Sequence, residues 1–77
     1  MIKNINNHLS DVLINIGKNV KEQRKNKELT QQDLAFHSET ERCTISRIER
    51  FNYENISIKT LLKIAIVLEI SIQDLIN

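Results

Sequence analysis

Apolar residues recur three or four positions apart along most of the chain, which is the spacing of one face of an α-helix. The N-terminal stripe consists of Ile2, Ile5, Leu9, Val12, Ile16 and Val20. Asn4, Asn6 and Asn7 weaken a helix there because asparagine competes for backbone hydrogen bonds. A start near residue 7 or 10 therefore fits the pattern as well as a start at residue 2, and we place the main helix at about 10–26.

A second helix is predicted to begin at Gln31, because Thr30 is a good N-cap and Asp33 can bond back to its amide. Leu34 and Ala35 are its inward residues. Alanine is small enough to let another helix cross closely over it. The pattern predicts a short helix whose apolar side is crossed by the next element.

A third helix follows the polar break at residues 38–40 and carries Ile45 and Ile48 on a single apolar stripe. Its other face holds Glu41, Arg42, Cys43, Ser46 and Arg47. An α-helix fits the major groove of B-DNA, where arginine can bond a guanine edge and serine can bond bases or phosphates. The alternative is a solvated amphipathic face.

Two more helices are predicted after the polar loop at residues 51–56. Ser57 can cap a largely apolar helix at 58–69, which we expect to be mostly buried, and Ser71 can cap a short helix at 72–77 with Asp74 as the capping-box acid. The absence of proline and the single glycine suit continuous helices. The predicted fold class is all-α, a compact bundle of five helices.

Length and composition narrow the function classes. The 77 residues allow one small domain, and the net charge of +1 gives no global sign of nucleic-acid binding. The sequence nevertheless favours a local basic patch at residues 18–27, which include five basic residues and one acidic residue. The single Cys43 excludes an internal disulfide, and His8 and His37 are not at zinc-like spacing with it. With no membrane span or signal peptide predicted, we expect a cytoplasmic protein without a metal or other cofactor.

The segment LTQQDLAFHSETERCTISRIER, residues 29–50, resembles the helix-turn-helix of the phage-repressor-like, or XRE, family. The resemblance runs from about residue 16 to residue 75. It implies a lambda-repressor-like fold whose recognition helix, at about 41–50, enters the major groove of double-stranded DNA. This docking geometry is a known property of the family, and the resemblance alone extends it to this chain.

The resemblance also assigns roles to individual side chains. It implies base-reading positions at Glu41, Arg42, Cys43, Ser46 and Arg47, and phosphate contacts at Gln31, Thr44, Arg50 and Asn52. It implies that Arg24 and Glu49 form a salt bridge that orients the recognition helix, in preference to a DNA contact by Arg24. Redox sensing is an alternative role for Cys43, and no arrangement of residues supports catalysis.

The chain departs from the family in two ways. Residues 1–15 are an extension in front of the helix-turn-helix domain at 16–77. Members of the family usually carry glycine at four positions that are occupied here by Glu28, Glu39, Phe51 and Glu69. We expect left-handed backbone at these positions, at a cost of roughly 1 kcal/mol each for a residue with a side chain.

These observations predict a sequence-specific regulator of transcription that binds a palindromic operator as a homodimer. The apolar candidates for the dimer interface are Ile70, Ile72 and Ile76 first, then Ile2, Ile5 and Leu9. The alternatives are packing of either stripe within one subunit, or a protein-interaction module, antitoxin or controller component that uses the same fold. The operator, and the choice between repression and activation, do not follow from these residues.

Overall fold

The computed structural model describes residues 5–51 and 56–77. These residues form five helices and no strand, which confirms the all-α prediction. The helices are α1 (Ile5–Asn26), α2 (Gln31–His37), α3 (Arg42–Glu49), α4 (Ile58–Leu68) and α5 (Ile72–Ile76).

Helix α1 begins at Ile5, five residues before the predicted start at residue 10, so that prediction was wrong. Extending an existing helix costs far less than nucleating one. Asparagine lowers helix propensity by only about 0.7 kcal/mol relative to alanine, so the asparagines at 6 and 7 do not end the helix. Residues 5–15 of the extension are therefore part of α1.

Side-chain caps fix the starts of three helices. The Thr30 hydroxyl accepts from the Asp33 amide at 2.9 Å, and the Asp33 carboxylate accepts from the Thr30 amide at 3.0 Å. The predicted capping box at α2 is thus confirmed, and the hydrogen bond from the Thr30 amide lowers the pKa of Asp33. Ser57 and Ser71 cap α4 and α5 as predicted. At Ser71 only the serine half of the box is present among the described contacts.

The core lies where α1, α3, α4 and α5 meet, with α2 packed against α3 and α4. The buried apolar side chains are Ile16, Val20, Leu34, Ala35, Ile45, Ile48, Leu61, Ile64, Ala65, Leu68 and Leu75.

The expectation that α4 is mostly buried was wrong for one side of the helix. Ile58, Leu62 and Ile66 are 63%, 44% and 74% exposed, because they follow a line beside the inward face of the helix. We call these three residues the α4 stripe.

All four predicted left-handed positions are confirmed. The φ angles of Glu28, Glu39, Phe51 and Glu69 are 58°, 57°, 61° and 59°. Backbone hydrogen bonds hold the turns: at Glu28 the next amide, Leu29, donates to the Arg24 carbonyl at 3.0 Å. This is the geometry of a helix C-terminus that closes on a left-handed residue.

Candidate nucleic-acid interface

The turn between α2 and α3 sets the angle at which α3 is presented. The Thr40 amide donates to the Ala35 carbonyl at 2.9 Å, across the left-handed Glu39. The buried Ser38 hydroxyl donates to the Leu34 carbonyl at 2.6 Å and lies 2.8 Å from the Thr40 hydroxyl. The two hydroxyls at the centre of this turn are therefore both bonded. Sequence reasoning gave Ser38 no role, because a serine in a polar break looks like any loop residue.

Helix α3 turns its two isoleucines, Ile45 and Ile48, into the core and its polar side outward. Arg42, Cys43 and Arg47 are exposed on that side, and Ser46 is half-buried beside them. Five predicted base-reading residues thus fall on or beside one accessible surface, although Glu41 is the N-cap with extended backbone and lies outside the helix proper. The Cys43 sulfur is 3.7 Å from a carboxylate oxygen of Glu41.

The predicted phosphate contacts are placed unequally. Thr44 is half-buried in the first turn of α3, and the Arg50 side chain folds back so that its Nε donates to the Ser46 carbonyl at 3.4 Å. Asn52 lies outside the described residues. Gln31 occupies the first position of α2 and is half-buried.

A buried ion pair joins α1 to the end of α3. Arg24 Nε donates to Glu49 Oε2 at 2.7 Å and Arg24 Nη2 donates to Oε1 at 2.9 Å, which is a bidentate geometry. The third donor, Nη1, bonds the Leu29 carbonyl at 2.8 Å. Arg24 is 8% exposed and Glu49 is 6% exposed, and the hydrogen bond to Glu49 raises the pKa of Arg24. All three nitrogens of the Arg24 guanidinium are therefore bonded inside the protein.

Gln31 joins this ion pair from α2. Its side-chain nitrogen donates to Glu49 Oε1 at 3.2 Å, so one carboxylate oxygen receives both Arg24 and Gln31. The sequence gave no sign of this contact, since residues 31 and 49 lie on different helices. Of the residues that the structure describes, no buried side-chain nitrogen or oxygen lacks a hydrogen-bond partner.

Gly17 allows α1 to approach the end of α3. A Cβ at this position would overlap the Ile48 carbonyl oxygen and would lie 2.7 Å from the Phe51 ring. Sequence analysis missed this role, although the presence of one glycine inside a long helix was a signal of close packing.

The candidate dimer residues differ in how far their own subunit covers them. Ile70, Ile72 and Ile76 are half-buried against the core, whereas Ile5 and Leu9 are exposed. The Asn19 side chain donates to the Leu75 carbonyl at 2.8 Å, which ties the end of α5 to α1. Ile2 lies outside the described residues.

Comparison with known proteins agrees with this arrangement. The family model described as Helix-turn-helix matches residues 20–75, nearly three quarters of the chain. The chain belongs to the XRE family of helix-turn-helix proteins. As a member of this family of DNA-binding regulators it is not an enzyme.

Solved structures of other XRE-type regulators share the fold. The restriction-modification controller protein C.AhdI from Aeromonas hydrophila is 35% identical, with 82% of this chain and 94% of that chain covered and a TM-score of 0.77. The N-terminal DNA-binding domain of SinR from Bacillus subtilis is 34% identical, with 80% and 90% covered and a TM-score of 0.77. SinR, the master regulator for biofilm formation, has also been solved in complex with DNA; that match is 34% identical, with 80% and 98% covered and a TM-score of 0.77. No curated protein matched the sequence.

The described part of this XRE-family chain contains neither a candidate metal site nor a candidate membrane-crossing helix. No group of three or more His, Cys, Asp or Glu residues at 5–51 and 56–77 is placed to hold a metal ion. Over the same residues, no helix combines the length and hydropathy that crossing a membrane requires.

Proposed function

We propose that the chain binds a specific double-stranded DNA sequence through α3 and regulates transcription there. The observation that carries this proposal is the outward face of α3, which presents Arg42 and Arg47 while the buried Arg24–Glu49 pair holds the helix. Arginine can form two hydrogen bonds with the edge of guanine, and this pair of bonds distinguishes guanine from the other bases. The SinR structure with DNA supports the same use of the domain.

The proposed contacts divide into two classes. Arg42, Arg47, Cys43, Ser46 and Glu41 lie at the positions that would meet base edges. The proposed backbone contacts are Gln31, Thr44, Arg50 and Asn52. Contacts of the first class specify the sequence, whereas contacts of the second class mainly position the protein.

Arg47 provides the test. Selection from random duplexes should enrich one motif, and Arg47→Ala should lower affinity for that motif by about 1 to 3 kcal/mol and relax one base position. Arg50→Ala is the matched control, because a lost phosphate contact weakens binding to all sequences and lowers the salt dependence by about one charge. If no motif is enriched, the proposal of sequence-specific regulation is wrong.

Specific binding by one short helix would read few base pairs, so we propose a homodimer on a palindromic site. A two-fold dimer would set its recognition helices about 34 Å apart, one turn of DNA. The proposed interface is first the C-terminal surface of Ile70, Ile72 and Ile76, with the N-terminal part of α1, which carries Ile5 and Leu9, wrapping that surface or the partner subunit. The bond from Asn19 to Leu75 holds α5 against the C-terminal half of α1. Ile5 and Leu9 lie about 15 to 21 Å farther along α1, at 1.5 Å per residue, so they form a separate exposed part of the proposed surface.

Sedimentation equilibrium at micromolar concentration tests the dimer. The wild type should be dimeric, and Ile72→Glu should dissociate it while Ile5→Glu should not, with circular dichroism to confirm that each variant is folded. Leu62→Glu, in the exposed α4 stripe, is the third variant. Dissociation by Leu62→Glu alone would show that the proposed surface is wrong, and a monomer both free and on DNA would refute the dimer.

The alternative function is a protein-interaction module, or a controller or antitoxin component, built on the same fold. The α4 stripe favours a protein contact of some kind, because exposed apolar stripes are unusual on monomers unless they are covered. The selection experiment separates the two functions, since a protein-interaction module would enrich no motif. A cytoplasmic location remains a prediction from the sequence.

A further inference from the structure

Glu49 is the point at which three helices are joined. Its carboxylate, at the last position of α3, accepts two hydrogen bonds from Arg24 of α1 and one from Gln31 of α2. Arg24 is fixed in turn by the Leu29 carbonyl at 2.8 Å. The acceptor oxygen Oε1 is shared, so the Gln31 bond and the Arg24 bond act on the same atom.

Two anchors from different helices restrict α3 more than one anchor does. The buried Ile45 and Ile48 and the bonds from Arg24 already restrain α3, and the bond from α2 to Glu49 adds a further restraint on its rotation. A rotation of about 10° moves a side-chain tip on the surface of a helix of about 10 to 12 Å diameter by about 1 Å. A displacement of that size takes an arginine outside the narrow distance range of a hydrogen bond to a base.

We propose that Gln31 is a positioning residue for base recognition: by bonding Glu49 it fixes the rotation of α3 and thereby the aim of Arg47 and Cys43. This inference rests on the proposed function and goes beyond the phosphate contact that the family resemblance implies for Gln31. The two roles have different consequences. A phosphate contact strengthens binding to every duplex equally, while a positioning contact strengthens binding to the cognate duplex more than to others.

The experiment measures affinity for the selected motif and for a scrambled duplex of the same length and composition. Gln31→Met keeps the length of the side chain but removes its hydrogen bonds, and it should lower the ratio of the two affinities by about fivefold or more. Gln32→Met is the matched control, because Gln32 is the exposed neighbour on the same helix and has no bond to Glu49 among the described contacts. Gln31→Lys restores a donor to Glu49 and should recover most of the ratio.

Heteronuclear NMR of the free protein gives a second readout. Gln31→Met should shift the Arg24 Nε resonance and the amides of α3, and Gln32→Met should leave them in place. An equal loss of affinity on both duplexes, or unchanged α3 resonances in Gln31→Met, would overturn the inference. Failure of the wild type to select any motif would instead refute the proposed function, so the two failures are distinguishable.

Discussion

Replacing Glu39 by glycine should stabilise the protein, although it removes a side chain and adds no contact. Glu39 has a φ of 57° in the turn between α2 and α3, and its side chain is exposed. Left-handed backbone costs a residue with a Cβ about 1 to 2 kcal/mol. Glycine avoids this cost, but its greater conformational entropy stabilises the unfolded chain by roughly 0.4 to 1 kcal/mol. The midpoints of these two ranges differ by about 0.8 kcal/mol, so the free energy of unfolding should rise by about 0.5 to 1 kcal/mol.

Thermal and urea unfolding measure this difference. For a domain of this size, 1 kcal/mol raises the Tm by roughly 4 to 8 °C, so Glu39→Gly should raise it by about 2 to 8 °C. Glu39→Ala is the matched control, because alanine removes the same carboxylate and keeps the Cβ. Glu22→Gly, at an exposed position inside α1, should lower stability by about 1 kcal/mol. If Glu39→Gly is no more stable than Glu39→Ala, the turn is not strained and the reasoning fails.

Three further predictions concern the core and one cap. A double-mutant cycle on Arg24 and Glu49 should give a coupling well above the 0.2 to 1 kcal/mol of exposed pairs, because both groups are buried; zero coupling would contradict the bidentate geometry. Gly17→Ala should lower stability by about 1 to 3 kcal/mol despite its better helix propensity, since the Ile48 carbonyl that it meets is backbone and cannot turn away; an unchanged Tm would refute this. The pKa of Asp33 is lowered in the folded protein. Its carboxylate therefore stabilises the fold above the unfolded pKa of about 3.9, and this stabilisation is lost as the pH falls through the folded pKa. Between pH 7 and pH 3, urea unfolding should show a smaller loss of stability for Asp33→Asn than for the wild type.

The parts of the fold that could be predicted are set by local chemistry. Thr30, Ser57 and Ser71 each start a helix because a short hydroxyl side chain bonds an amide in the first turn. The left-handed turns could be placed because the family resemblance identifies where glycine is usual. The cap signals lie within a few residues of the helix starts that they specify, so no knowledge of packing was needed for them, whereas the turns were placed from the resemblance alone.

The features that could not be predicted depend on which elements meet. Eight of the eleven residues of α4 are apolar, so periodicity cannot show that Leu61 and Ile64 are buried while Ile58, Leu62 and Ile66 are exposed. The bond from Gln31 to Glu49 likewise depends on the crossing angle of α2 and α3. Both require three-dimensional placement that a repeat of three or four residues does not contain.

The strained turns and the buried ion pair are connected through the geometry of α2. The left-handed Glu28 turns the chain so that the Leu29 carbonyl reaches Arg24, and the left-handed Glu39 sets the angle at which α3 carries Glu49 back to the same guanidinium. Breaking one partner of a buried pair costs about 3 to 5 kcal/mol, which exceeds the strain of roughly 1 kcal/mol in either turn. Glycine at either position relieves this strain while the backbone and the ion pair keep their geometry, so the presentation of α3 does not change. It follows that glycine at residue 28 or 39 should raise the Tm and leave the selected DNA motif unchanged, whereas Glu49→Gln should disturb both.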